Sequence, residues 1–119
     1  MTDCVLVVDD DPDFRGLAAR IIGAVGTVSV DEVGCVGGAQ KSAMARRPRA
    51  VLVDIGLPDG DGITLARWLV ALPWRPHVVL TSSDPDAASP EDVVASGANA
   101  FVPKEELPTA PLHQLLALE

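Results

Sequence analysis

"CVLVVDDDPDFRGLAARII" at residues 4–22 joins an apolar run, an acidic turn and an amphipathic segment without a wasted position. Cys4–Val8 is continuous and rich in β-branched residues, the composition of a buried strand. Asp11 stands where a helix N-cap is needed. Pro12 comes next, at the first helical position, where a missing N–H costs nothing. Phe14, Leu17, Ala18, Ile21 and Ile22 then recur at helical spacing. The stretch therefore predicts a strand that feeds a helix through a turn lined with carboxylates.

The same pattern repeats along the rest of the chain. "TVSVDEV" (27–33), "AVLVD" (50–54), "HVVLT" (77–81) and "AFV" (100–102) read as further strands. Segments 37–47, 61–72, 90–96 and 109–118 read as helices, the fourth helix of the chain confined to 90–96 by Pro85 and Pro90. All ten prolines are placed at boundaries or in first turns by this segmentation. Most of the strands lack period-2 alternation, as strands do when helices cover both faces of a parallel sheet. Alternating strands and helices with right-handed crossovers predict an α/β, doubly wound, five-stranded parallel sheet with five helices, of flavodoxin-like order 2-1-3-4-5. Ligands are then expected between strands one and three, beyond the strands' carboxyl ends.

The length of 119 residues predicts one domain over 1–119. Hydrophobic residues make up 48% of the chain but aromatics only 3%, so the core must be aliphatic. Seventeen acids against nine bases give a net charge of −8, which repels phosphate backbones and anionic lipid. Direct nucleic-acid binding and membrane association are disfavoured on that ground. No apolar run approaches the ~20 residues that span a bilayer. The N-terminus lacks the basic start and cleavage site of a secretory signal. Cys4 and Cys35 show no metal or disulfide spacing, read as small buried hydrophobes, and predict a reduced, cytoplasmic setting.

The chemical signal lies just past the end of each strand. Strand one ends in Asp9, Asp10 and Asp11; strand three in Asp54 and "IGLPDGDG"; strand four in Thr81, Ser82 and Ser83; strand five is succeeded by Lys104, one of only two lysines. Carboxylates gathered at one sheet edge either take up protons or hold a cation. Oxygen ligands with an open site suit Mg²⁺, which recruits phosphate oxygens. An ionised carboxylate facing such a metal can act as a nucleophile and form an acyl phosphate. Lys104 would stabilise charge on the transferring group, and the Thr81 hydroxyl could donate to it. Other residues have plainer roles: Asp11 as a cap, Asp59 and Asp61 as turn and cap residues ahead of helix three, Asp13 in a first turn. Trp68 reads as packing, Trp74 as a loop residue, Lys41 as solvated, and His77 and His113 as structural or surface residues.

With "VLVVDDDPDFR" (5–15), "VLVDIGLPDGDG" (51–62), "VVLTSS" (78–83) and "GANAFVPKEEL" (97–107), the chain resembles the receiver domain of bacterial two-component response regulators along essentially its whole length. "PKEEL" is closer to receivers of the NarL/LuxR type. The resemblance implies that Asp54 is the phosphoacceptor and that Asp9, Asp10, Asp54 and the backbone carbonyl of Gly56 hold Mg²⁺. Thr81 would be the switch hydroxyl, Lys104 the phosphoryl-binding lysine and Phe101 the aromatic switch residue. It implies a sensor histidine kinase or phosphotransfer protein as donor, and a homodimer through the helix 4–strand 5–helix 5 face. Such a domain catalyses its own phosphoryl transfer and dephosphorylation and delivers a conformational signal rather than a metabolite. Two features depart from the common pattern: Lys104 is followed by Glu105 rather than proline, and Ser82 stands where a smaller residue is usual. Two rival readings are a phosphorylation-independent interaction module and a small phosphatase using Asp9 and Asp11 as a DxD pair.

Overall fold

The structure, a computed structural model, describes residues 3–24 and 27–118. Strands β1 (Asp3–Val8), β2 (Val28–Val33), β3 (Ala50–Asp54), β4 (His77–Ser82) and β5 (Ala100–Pro103) form one parallel sheet in the order β2-β1-β3-β4-β5. That is the order the sequence predicts. The register sets Val8 beside both Val33 and Val53, Asp54 beside Thr81, and Thr81 beside Val102, so the strands' carboxyl ends finish level with one another.

Alternate strand residues feed two separate cores. Val5, Val7, Ala50, Leu52, Val79 and Val102 pack with Phe14, Ala18, Ile22, Leu112 and Leu116 on one face. Leu6, Val8, Val51, Val53, Val78 and Leu80 pack with Ala39, Ala43, Leu65, Ala66 and Leu69 on the other. Burial on both faces is why the central strands could not alternate polar with apolar. Leu52 and Leu80, both fully buried, are sites where truncation to Ala should cost about 2–5 kcal/mol.

Helix starts obey local chemistry. In α1 (Pro12–Gly23), the Asp11 carboxylate accepts from the Asp13 amide at 3.0 Å, with Pro12 in the first turn. The α2 helix (Val36–Arg46) departs from expectation: Cys35 is its N-cap, with Sγ accepting from the Gly38 amide at 3.3 Å. Cys35 and Cys4 are free and half-buried rather than core residues. In α3 (Gly62–Val70), Asp61 accepts from the Ile63 amide at 3.0 Å. In α4 (Pro90–Ser96), Ser89 and Asp92 cap each other reciprocally, and Gly97 closes the helix at φ 82°.

The fifth helix is the largest correction. A helix over 109–118 is expected, but α5 spans only Leu112–Leu115 and comes after a 3₁₀ helix over Lys104–Thr109 that contains Pro108. Pro108 and Pro111 cannot donate backbone hydrogen bonds, and Ala117 at φ 56° ends the last turn. Pro108 thus lies inside an element, where the sequence places every proline at an edge or in a first turn. Residues 1, 2 and 119, the ends of the expected domain, lie outside the described residues. No described helix is long and apolar enough to cross a membrane.

Candidate functional site

The carboxyl ends of β1 and β3 bring Asp9, Asp10 and Asp54 together, with ligand oxygens all within 4.8 Å of one another. Asp9 is fully buried and Asp54 is 6% exposed, whereas Asp10 faces solvent. Three carboxylates this close, two of them buried, fit a divalent cation with oxygen ligands and an open side. The Gly56 amide donates to Asp54 Oδ1 at 3.2 Å, which sets residue 56 beside the same carboxylate.

Lys104 enters from the end of β5. Its Nζ lies 2.7 Å from Asp9 Oδ2 and 3.3 Å from Asp54 Oδ2. Burial works against its charge. Its ion pair with Asp9 and the charge of Asp54 outweigh that, and the ammonium is held above the ordinary lysine range. For Asp54 the balance goes the other way. Burial, then the charge of Asp9, raises its carboxyl above the ordinary range, with Lys104 and the Gly56 amide opposing.

Thr81 is buried directly beside Asp54 in the register of β3 and β4, yet its hydroxyl donates to the Val102 carbonyl at 2.7 Å. In this state the hydroxyl is bonded to β5. Phe101, the neighbour of Val102, is half-buried against the α3 side of the sheet. It borders the grooves on both sides of β5, one shared with Val93 and Val94 of α4 and one with Leu115 of α5.

Several residues that hold the site in shape are not legible as motifs. The Phe14 ring lies under the Lys104 ammonium, 4.5 Å from nitrogen to ring centre. Arg15 Nη1 donates to the Asp9 carbonyl at 2.7 Å. Asp59, expected to serve the start of helix three, instead reaches across to α2 and accepts from the Val36 and Gly37 amides at 2.7 and 3.0 Å. The Gly37 bond and then the Val36 bond hold its carboxyl below the ordinary range. Gly62 lets α3 approach β3: a Cβ there would sit 2.2 Å from the Asp54 carbonyl oxygen. Asp11, the second acid of the DxD reading, spends its carboxylate on the helix cap.

A five-stranded sheet of this order, with an acid pocket and a lysine at its switch point, defines a class that comparison with known proteins specifies. Residues 5–116 match the family model of the response regulator receiver domain, and the chain belongs to that family. It is a phosphoacceptor signalling domain, and domains of this family bind Mg²⁺ through acidic residues. The DNA-binding transcriptional activator DevR/DosR of Mycobacterium tuberculosis is 35% identical over 103 residues, covering 85% of this chain and 47% of that protein. A protein-glutamate methylesterase/protein-glutamine glutaminase of Vibrio parahaemolyticus is also 35% identical over 103 residues, covering 85% of this chain and 28% of that protein. The chain thus spans less than half the length of these relatives. Among solved structures, the BeF3-activated receiver domain of Klebsiella pneumoniae RstA superposes with a TM-score of 0.74 at 30% identity, covering 98% of this chain and 94% of that one. Vibrio cholerae CheY4 shares the fold at a TM-score of 0.80 and 16% identity, covering 98% of this chain and 100% of the other.

Proposed function

We propose that Asp54 accepts a phosphoryl group from the phosphohistidine of a sensor kinase or phosphotransfer protein, and that residues 1–119 act as one receiver domain in the cytoplasm. The carrying observation is the placement of Asp54: a carboxylate nearly closed to solvent, with Lys104 Nζ at 3.3 Å and Asp9 and Asp10 alongside. One Asp54 oxygen forms the new O–P bond. The P–N bond to the donor imidazole breaks, and its electron pair stays on the departing nitrogen. Asp9, Asp10, Asp54 and the Gly56 carbonyl would hold Mg²⁺, which supplies positive charge opposite the transferring oxygens. Lys104, poised between Asp9 and Asp54, turns its ammonium to a phosphoryl oxygen as a point charge.

The acyl phosphate then draws the Thr81 hydroxyl away from Val102, and Phe101 turns inward behind it. The signal is read on the face made by α4, β5 and α5, through which two copies associate, and by an effector that this chain does not itself identify. Hydrolysis of the acyl phosphate resets the domain, with Ser82 next to Thr81 at the end of β4. Incubation with acetyl phosphate and Mg²⁺ should add one phosphoryl group, and Asp54→Asn should abolish the addition. Undiminished labelling of that variant would move the acceptor to Asp9, Asp10 or Asp11 and overturn the assignment.

A further inference from the structure

Opposite the acid pocket, at the amino ends of the strands, the segments "RRPR" (46–49) and "WRP" (74–76) meet. The Trp74 indole donates to the Pro48 carbonyl at 3.1 Å, and the His77 amide donates to the Arg49 carbonyl at 3.0 Å. The Arg47 guanidinium stacks over the Trp74 ring, 5.1 Å from its centre. Four of the chain's nine bases are thereby gathered at one pole of a molecule with a net charge of −8. Arg46 and Arg49 are paired with Asp31 and Asp3, at 3.4 and 3.0 Å. Arg47 and Arg75 are exposed and meet no carboxylate among the described residues.

The backbone makes the same two arginines conspicuous. Arg47 sits at φ 48° and Arg75 at φ 45°, the left-handed region in which glycine is at ease and other residues lose roughly 1–2 kcal/mol. Turn chemistry alone would place Gly or Asn at both positions. Met44, one helical turn before Arg47, is 59% exposed. Arginine, tryptophan and methionine together are the composition of an interface centre rather than of a solvated edge.

We infer that this pole binds an acidic segment of a partner protein, with Arg47 and Arg75 meeting its carboxylates and Trp74 and Met44 its apolar side chains. Charge complementarity selects the occupant. The net field repels an anionic partner from the rest of the surface and orients it here. A nucleic acid is disfavoured, because two free arginines release few counterions against the repulsion of the whole chain. Carboxylates suit the planar guanidinium fork, and the exposed Met44 side chain has no use for a phosphodiester backbone.

The test uses the full chain and a hexaglutamate peptide, with hexalysine and a short single-stranded oligonucleotide as controls. The peptide should give saturable, salt-sensitive amide shifts at residues 44–49 and 72–77. Arg47→Gly with Arg75→Gly should weaken binding roughly tenfold, the loss of two charge-assisted pairs. Arg75→Gly alone should leave Tm unchanged or raise it, since the side chain serves binding and strains the turn. Shifts confined to other surfaces, equal binding of the oligonucleotide, or a lower Tm for Arg75→Gly would each overturn the inference.

Discussion

Asp54 carries an electrostatic load that the rest of the pocket only partly relieves. Its carboxyl is raised by burial and by the charge of Asp9, so the folded protein holds that proton more tightly than the unfolded chain does. The associated stability is present below the ordinary carboxylate value and is lost as pH rises through the folded value. At neutral pH the ionised group therefore destabilises the metal-free protein. Asp54→Asn should raise Tm at pH 7 in EDTA, since Lys104 keeps Asp9 at 2.7 Å, and the gain should fade as the pH is lowered into the carboxylate range. A lower Tm for the variant at pH 7 would contradict this balance. Lys104 has the opposite dependence: its raised value keeps its contribution intact through neutral pH and loses it only above the ordinary lysine range. Phe14 is the partner to test. Phe14→Leu keeps an apolar side chain but removes the ring face, and a double-mutant cycle with Lys104→Met should show a coupling of about 0.5–1 kcal/mol. Zero coupling would reduce the contact to mere proximity. Asp9, Asp10, Asp54, Thr81 and Lys104 were legible because each ends a strand or stands just past one, and parallel topology carries all such positions to one edge. Phe14 and Asp59 were not, since a helical core position and a turn acid give no sign of which distant group they meet.

Segments connect these side chains, and their ends tell which parts of the chain were readable. The starts of α1 and α4 could be read because Asp11-Pro12 and Ser89-Pro90 are local signals. The fifth helix could not: Leu112, Leu115 and Leu116 keep helical spacing, but 104–109, with Pro108 inside it, turns 3₁₀, and Pro111 delays the α-helix to Leu112. The connection from β3 to α3 shows how an element fixes the site. Its tip is held to α2 by Asp59, and its end turns on Gly62, whose amide donates to the Ile55 carbonyl at 2.8 Å. A Cβ at residue 62 would meet the backbone of Asp54 and Ile55 at 2.2 and 2.7 Å, contacts only a backbone shift can relieve. Gly62→Ala should cost about 2–4 kcal/mol in urea unfolding and slow the labelling of Asp54. An unfolding midpoint equal to that of the parent would mean that the loop adapts freely.

The two cores meet the acid edge differently, and this gives the domain a direction for its signal. Lys104 and Phe14 tie the pocket to the α1 face, whereas Thr81 ties it to β5 and, through Phe101, to α4. The α4 helix is short, carries Val94 at 78% exposure, and is weakly committed to either core. A phosphoryl group on Asp54 can shift this system only by its differential interaction with two states. In the proposed switch, the bond from Thr81 to the Val102 carbonyl supplies that difference, because the hydroxyl cannot serve β5 and a phosphoryl oxygen at once. Releasing it leaves the Val102 carbonyl without its buried donor, a cost of roughly 1–3 kcal/mol that movement of β5 and α4 must relieve. Beryllofluoride with Mg²⁺, as a mimic of the acyl phosphate, should therefore shift amides at 54–57 and 81–83 and also across 90–112, with dimer formation in sedimentation. In Thr81→Ala the hydroxyl is absent from both states. The mimic should still perturb 54–57, but the changes across 90–112 and the dimer should be lost. Full propagation in that variant would place the coupling in Lys104 and β5 directly, and the Thr81 route would be wrong.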